Sequence, residues 1–207
     1  MKPSEISADV ERYYTGKLKA HGATPKGVDW NGAESQAVRF AQLAKILEGA
    51  GSGTLADVGC GYGGFLPFLR RTGFIGHFIG VDLSPEMIAA AKALSHDDSS
   101  ATFIVGDAPP GSVDFVTASG IFGVKLTHSD DVWRDHLVAT LDRFNAAAGR
   151  GFAFNCLTAY SDRDKMRPDL YYADPLFIFD HCKRAYANNV ALQHDYGLYE
   201  FTILVRK

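Results

Sequence analysis

Three carboxylates and a cluster of glycines carry the recognisable chemistry of this 207-residue chain. Asp57 stands two residues before Gly59 in the stretch Leu55-Ala56-Asp57-Val58-Gly59-Cys60-Gly61-Tyr62-Gly63-Gly64-Phe65-Leu66. Asp82 closes the apolar run Phe78-Ile79-Gly80-Val81, and Asp107 follows Thr102-Phe103-Ile104-Val105-Gly106. Glycines at 59 and 61 allow a tight turn and a close approach of backbone to ligand. Gly59, Gly61 and Gly64 also fit the G-x-G-x-x-G spacing of a dinucleotide-binding turn. Asp57 opposes that reading, because a carboxylate at a strand tip lies where a pyrophosphate would sit and repels it. It suits a cationic group, such as the ammonium of an amino acid. Asp82, about 20 residues past the turn, can accept hydrogen bonds from both hydroxyls of a ribose. The two together point to a nucleoside ligand.

These groups need elements to position them. Apolar periodicity predicts an amphipathic helix over 4–20, a Gly/Pro loop over 21–32 containing Trp30, and a second helix over 33–47 ended by Gly49, Gly51 and Gly53. The glycine turn joins a strand ending near Cys60 to a helix starting near Gly63. Further strands are expected at 78–82, 102–105, 113–119, 151–157, 190–196 and 199–206, with helices over 84–94, 130–148 and 176–187. Ser84 with Pro85 is a helix-start pair. Each of the three carboxylates then stands at the carboxyl end of a consecutive strand, the edge where open α/β sheets bind ligands. The last two strands are too close in sequence to be anything but antiparallel. The polar, aromatic segment 158–175 is long enough for a substrate-binding insertion.

The stretch Asp57-Val58-Gly59-Cys60-Gly61-Tyr62-Gly63 resembles the first motif of the class I S-adenosylmethionine (SAM)-dependent methyltransferases. The resemblance covers residues 54–207. It implies an α/β, Rossmann-like fold with a mostly parallel seven-stranded sheet of order 3-2-1-4-5-7-6, the last strand antiparallel, and helices on both faces. It also implies SAM as cofactor and S-adenosylhomocysteine (SAH) as product. Carried over by position, Asp57, Gly59, Cys60 and Gly61 form the cofactor turn, and Asp82 takes the ribose. Asp107 takes the adenine amino group, and the backbone of Ala108 takes a ring nitrogen. Leu83 and Met87 can pack on the adenine, with a plain core role open for Met87. The segment from Ser119 passes beneath the transferable methyl group. Arg39 is a candidate for the methionine carboxylate, or simply a surface arginine. Residues 1–50 resemble the helical cover of small-molecule methyltransferases of the trans-aconitate-methyltransferase-like kind, giving one domain with a cover (1–50) and a core (54–207). DNA amino-methyltransferases carry an Asn/Asp-Pro-Pro-aromatic motif where this chain reads Ser119-Gly120-Ile121-Phe122, which argues against base methylation.

The acceptor side is less legible. Trp30 either walls a pocket or anchors the N-terminal segment, and Tyr160, Tyr171 and Tyr172 are candidate substrate contacts. A base is needed only if the acceptor carries a proton at neutral pH. His194, Tyr14, Tyr160 and Tyr172 are the candidates, alongside Asp29, Asp162, Tyr171 and Tyr196, with a structural role open for His194. Composition sets outer bounds. A net charge of −3 and the lack of a long Lys/Arg cluster count against a nucleic-acid partner. No apolar run approaches a membrane span. The three cysteines lack metal-ligand spacing and read as reduced thiols, so a metal-free cytoplasmic protein is expected. An NAD-dependent oxidoreductase and a non-catalytic SAM-binding module are the alternatives.

Overall fold

In the computed structural model, which describes residues 5–50 and 52–207, the central strands alternate their side chains between two helical layers. Chain order is α1 (Glu5–His21), α2 (Ala33–Ala44), β1 (Thr54–Val58), α3 (Phe65–Arg71), β2 (His77–Asp82), α4 (Pro85–Leu94), β3 (Ala101–Val105) and β4 (Val113–Ala118). It continues with α5 (Asp130–Ala147), β5 (Ala148–Leu157), α6 (Pro175–Ala185), β6 (Asn189–Gln193) and β7 (Glu200–Arg206). Short 3-10 turns cover Pro25–Val28, Lys45–Leu47 and Arg163–Lys165. The seven strands lie in the order β3-β2-β1-β4-β5-β7-β6, as expected from sequence. Neighbours from β3 to β5 are parallel, and β7 runs antiparallel to both β5 and β6.

The period-2 alternation of a strand divides its residues between the two layers. Ala56, Val116, Phe152, Phe154, Phe201, Ile203 and Val205 pack under α5 and α6 with Trp133, Leu137, Leu141, Phe144 and Ile178. Leu55, Phe78, Phe103, Phe115, Ala153 and Leu204 pack on the other face against Phe40, Leu43, Phe65, Leu66 and Ile88 of α2, α3 and α4. Helix α4 begins where Ser84 Oγ accepts from the Met87 amide at 3.2 Å, with Pro85 pre-set in the first turn. Strand order reverses between β1 and β4, and the crevice at such a reversal is where open sheets take ligands.

Some boundaries differ from expectation. Strand β1 stops at Val58 because Gly59 turns the chain, α3 starts only at Phe65, and β5 starts three residues early at Ala148. Strand β6 ends at Gln193, where its pairing with β7 stops at Thr202, so His194 lies in the loop rather than on a strand. The expected helix start at Ser4 and the helix stop at Gly51 lie outside the described residues.

Candidate active site

At the tip of β1 the backbone of Gly59 takes φ +74°, a left-handed conformation open to glycine. A Cβ there would meet Ile121 Cγ2 at 2.1 Å, so only glycine lets the turn close against the segment after β4. The amides of Gly59 and Cys60 both donate to the Val81 carbonyl, at 2.8 and 3.0 Å, holding the turn against β2. This brings Asp57 and Asp82 together. Asp57 is 3% exposed and accepts from Thr117 Oγ1 on β4 at 2.8 Å. Burial pushes its carboxyl up to about 7, with Asp82 pushing the same way and the Thr117 hydrogen bond opposing. Asp82 Oδ2 accepts from the Gly61 amide at 2.8 Å, and its Oδ1 from the Ser84 amide at 2.9 Å. Burial raises its pKa, and those two amides partly counter the rise.

A cavity of about 120 Å³ runs along these strand tips. Asp57, Gly59, Cys60, Gly61, Asp82, Leu83, Met87, Asp107 and Ser119 all line it. Ala108 does not; the β3 end contributes through Gly106 and Asp107 instead. Asp107 is paired at 3.0 Å with Arg143 of α5, which lines the cavity together with His136 and Thr140. These three were not anticipated, although polar residues at 136, 140 and 143 recur at helical spacing and so share a face. Burial lowers the His136 pKa, with nearby Arg143 acting in the same direction. Helix α1 closes the cavity with Ile6 and Val10, which read from sequence only as an amphipathic stripe, and with Tyr14, a candidate base. Thr15 and Ser84 hold that helix to the start of α4 through a buried hydroxyl pair at 2.7 Å.

A second, wider cavity of about 680 Å³ opens on the other side of a partition made by Tyr14, Val28, Trp30 and Gly120, which line both. Gly120 takes φ +78°, and a Cβ on it would meet Trp30 Cζ2 at 2.4 Å; the indole lies directly on its backbone. Asn155, buried on β5, fixes that backbone. Its Oδ1 accepts from the Gly120 amide at 2.8 Å, while its Nδ2 reaches Ser119 Oγ at 3.4 Å. An asparagine within the run Phe152-Ala153-Phe154-Asn155-Cys156 was the available signal for this role, since a buried amide needs partners. The Tyr14 hydroxyl donates to the Gly120 carbonyl at 3.4 Å, and burial pushes its pKa up, so it stays protonated.

Several site expectations are corrected here. Arg39 lines the wide cavity, away from the strand-tip carboxylates. Its Nε bonds both Glu200 oxygens, at 2.9 and 2.8 Å, and its guanidinium lies 3.9 Å from the Trp30 ring centre. A closer buried carboxylate has claimed it. Gln36, one turn earlier on α2, lines the narrow cavity in its place and accepts from the Tyr62 hydroxyl at 3.0 Å. Tyr171 is 8% exposed and belongs to the core beneath α5 and α6, its amide bonding the Gly123 carbonyl. Tyr160 is 65% exposed and lines neither cavity; its ring packs 6.0 Å from that of exposed His194. His194 also lines neither. Tyr172 does line the wide cavity, its hydroxyl accepting from the Arg167 amide at 2.9 Å. Trp30 proves both wall and anchor. Asp29 is held by Tyr13 Oη and Lys17 Nζ, both at 2.7 Å, Asp162 accepts from Tyr199, and Tyr196 bonds Thr202.

Comparisons with known proteins agree with this geometry. A family profile described as "Methyltransferase domain" matches residues 55–146. A chain of Mycobacterium tuberculosis (strain ATCC 25618 / H37Rv) named "Putative methyltransferase Rv1506c" is 52% identical over 163 residues, covering 79% of this chain and 98% of its own. Among solved structures, the magnesium protoporphyrin IX methyltransferase of Synechocystis PCC 6803 with bound SAM superposes with a TM-score of 0.68 at 14% identity, covering 100% of both chains. The N-methyltransferase NodS of Bradyrhizobium japonicum WM9 with bound SAH gives 0.67 at 14% identity, covering 96% of this chain and 98% of that one. With the motif, the strand order and a relative sharing half its residues in agreement, the chain belongs to the class I SAM-dependent methyltransferase family.

Proposed function

We infer that this protein transfers the methyl group of SAM to an oxygen or nitrogen atom of a small molecule in the cytoplasm. The observation that carries this reading is the pair of cavities meeting at Tyr14, Trp30 and Gly120, with the strand-tip carboxylates confined to the narrow one. The donor set of that cavity fits SAM. Asp57 supplies a carboxylate for the ammonium, and Asp82 supplies acceptors for two ribose hydroxyls, already oriented by the Gly61 and Ser84 amides. Leu83 and Met87 offer an apolar face for adenine, with Asp107 at its edge. When bound, SAM brings a methyl group already activated by its sulfonium. The protein's contribution is alignment and exclusion of water, which can supply several kcal/mol, up to about 7–11 in ideal intramolecular cases.

On the acceptor side, Tyr14 stays a hydroxyl donor at the partition and orients the acceptor rather than deprotonating it. Trp30 and Tyr172 present aromatic surface, and Asn155 holds the Ser119–Gly120 backbone that separates the two ligands. Helices α1 and α2 act as the cover, since both contribute to both cavities, α1 to the wide one through Tyr14. The wide cavity falls in the usual range for small-molecule sites, about 300–1,000 Å³. No helix among the described residues is long and apolar enough to cross a membrane. Calorimetric titration with SAH, with NADH as parallel control, tests the cofactor assignment. Micromolar SAH binding, about 8 kcal/mol, together with no NADH binding, supports it. NADH binding without SAH binding would reassign the glycine turn to a dinucleotide.

A further inference from the structure

We propose that the wide cavity takes an acceptor bearing a carboxylate, anchored by Nη1 of Arg39 at a point separate from the atom that is methylated. This rests on the reading of that cavity as the acceptor site. Arg39 is 6% exposed, and its Nε and Nη2 are committed to Glu200. Its Nη1 is buried without a hydrogen-bond partner among the described residues, so an anion in the cavity that Arg39 lines reaches it once the side chains over it yield. An unpaired guanidinium nitrogen is costly, and an anionic oxygen is the acceptor that satisfies it most strongly. The Arg39–Glu200 pair is neutral as a unit. Lys165 and Arg167 also line the cavity, so its three cations face two carboxylates, Glu200 and Asp29. The carboxylate partners of those two cations, Asp164 and Asp169, do not line it.

The indole of Trp30 separates the anchor from the reaction. One side of the ring carries the Arg39 guanidinium at 3.9 Å, and its Cζ2 edge abuts Gly120 at the partition between the cavities. An anion on Nη1 therefore stands across the indole from the point where the methyl group passes. The acceptor atom belongs to another part of the same molecule, and the carboxylate fixes its register. The acceptor class is thus a small acid whose reacting hydroxyl or amine is remote from its carboxylate.

The test uses the full chain saturated with SAH and probes it with glutarate, with glutaramide as the uncharged control. Binding is followed by calorimetry and by the fluorescence of Trp30, the other tryptophan, Trp133, being wholly buried in the core. Glutarate is expected to bind at least tenfold more tightly than glutaramide and to change the Trp30 emission. Arg39→Lys retains a cation for Glu200 but lacks Nη1; it should lose that preference while SAH affinity stays within twofold. Glu200→Gln removes the competing carboxylate and should tighten glutarate binding at least threefold, which a purely structural Arg39 would not do. Equal affinity for acid and amide, or glutarate binding unchanged or weakened in Glu200→Gln, would overturn the anion site. Failure of wild-type chain to bind SAH would instead overturn the cofactor reading, a separate outcome read before glutarate is added.

Discussion

Asp57 shows how one side chain can couple folding, ligand binding and pH. Its carboxyl is held near 7 by burial at the end of β1, well above the ordinary 3.8. The folded state therefore keeps a proton that the unfolded chain releases. Its contribution to stability is complete below about pH 4 and is lost as pH rises through 7. Asp57→Asn retains the acceptor for Thr117 and never ionises. The variant should thus gain thermal stability over wild type at pH 8 and not at pH 5, by about 2–4 °C for each kcal/mol recovered, as read by calorimetric melting. Ligand binding responds in the opposite sense. A bound ammonium requires the ionised form, so SAH affinity should fall below pH 7, by up to about tenfold per unit, and Asp57→Asn should abolish that slope. Asp82→Ala removes the oriented acceptors of both Gly61 and Ser84. It should weaken SAH binding at least tenfold, about 1.4 kcal/mol or more; unchanged affinity would refute the ribose assignment.

Helix α1 is tied down by polar contacts at several points more than by a broad apolar face. Thr15 bonds Ser84, Lys17 and Tyr13 hold Asp29, and His128 faces Asp9 at 3.3 Å, while only Ile6 and Val10 join the core from its apolar side. An element held in this way opens at lower free energy than a core strand. Because Ile6, Val10 and Tyr14 line the narrow cavity, ligand there is expected to hold the helix closed. Amide exchange over residues 5–21 should slow when SAH is added, with β1 and β4 unchanged; equal exchange with and without ligand would argue against a cover. Thr15→Val strips the buried partner from Ser84 and should cost about 1–2 kcal/mol, measured by denaturant unfolding. The amphipathic pattern of α1 was legible in sequence, but its target was not. Its apolar residues state that a face is buried, and only the position of α4 and the strand tips decides against what.

At the scale of the whole molecule, the sheet brings together groups far apart in the chain. Arg39 and Glu200, 161 positions apart, join the helical cover to β7 as a buried pair stacked on Trp30. Removing one partner of such a pair strands a buried charge at about 3–5 kcal/mol. Arg39→Ala should therefore lower the unfolding midpoint far more than Arg39→Ala combined with Glu200→Ala, as a double-mutant cycle would measure. Trp133 plays the corresponding part on α5, its Nε1 donating to the Phe122 carbonyl at 2.8 Å within a fully buried ring. That bond extends the core into the 119–122 segment, so the partition between the cavities is backed by packed structure.

By itself the sequence determined the strands, the glycine turn and the three strand-end carboxylates, while the strand order followed from the resemblance to a known family. Those first three features depend on local rules: apolar periodicity, the freedom of glycine, and a carboxylate a fixed number of residues from a turn. Those rules act within about one supersecondary unit, and there they were sufficient. They could not decide which partner each side chain takes. Gln36 and Arg39 share a face of α2, yet one reaches the narrow cavity and the other is captured by Glu200 from β7. Tyr171 and Tyr172 are adjacent and chemically alike, yet one ring lies in the core and the other on the wide cavity. Only the tertiary structure settled such choices, because a side chain's partner is set by distance in space, and burial then fixes which pairing the chain can sustain.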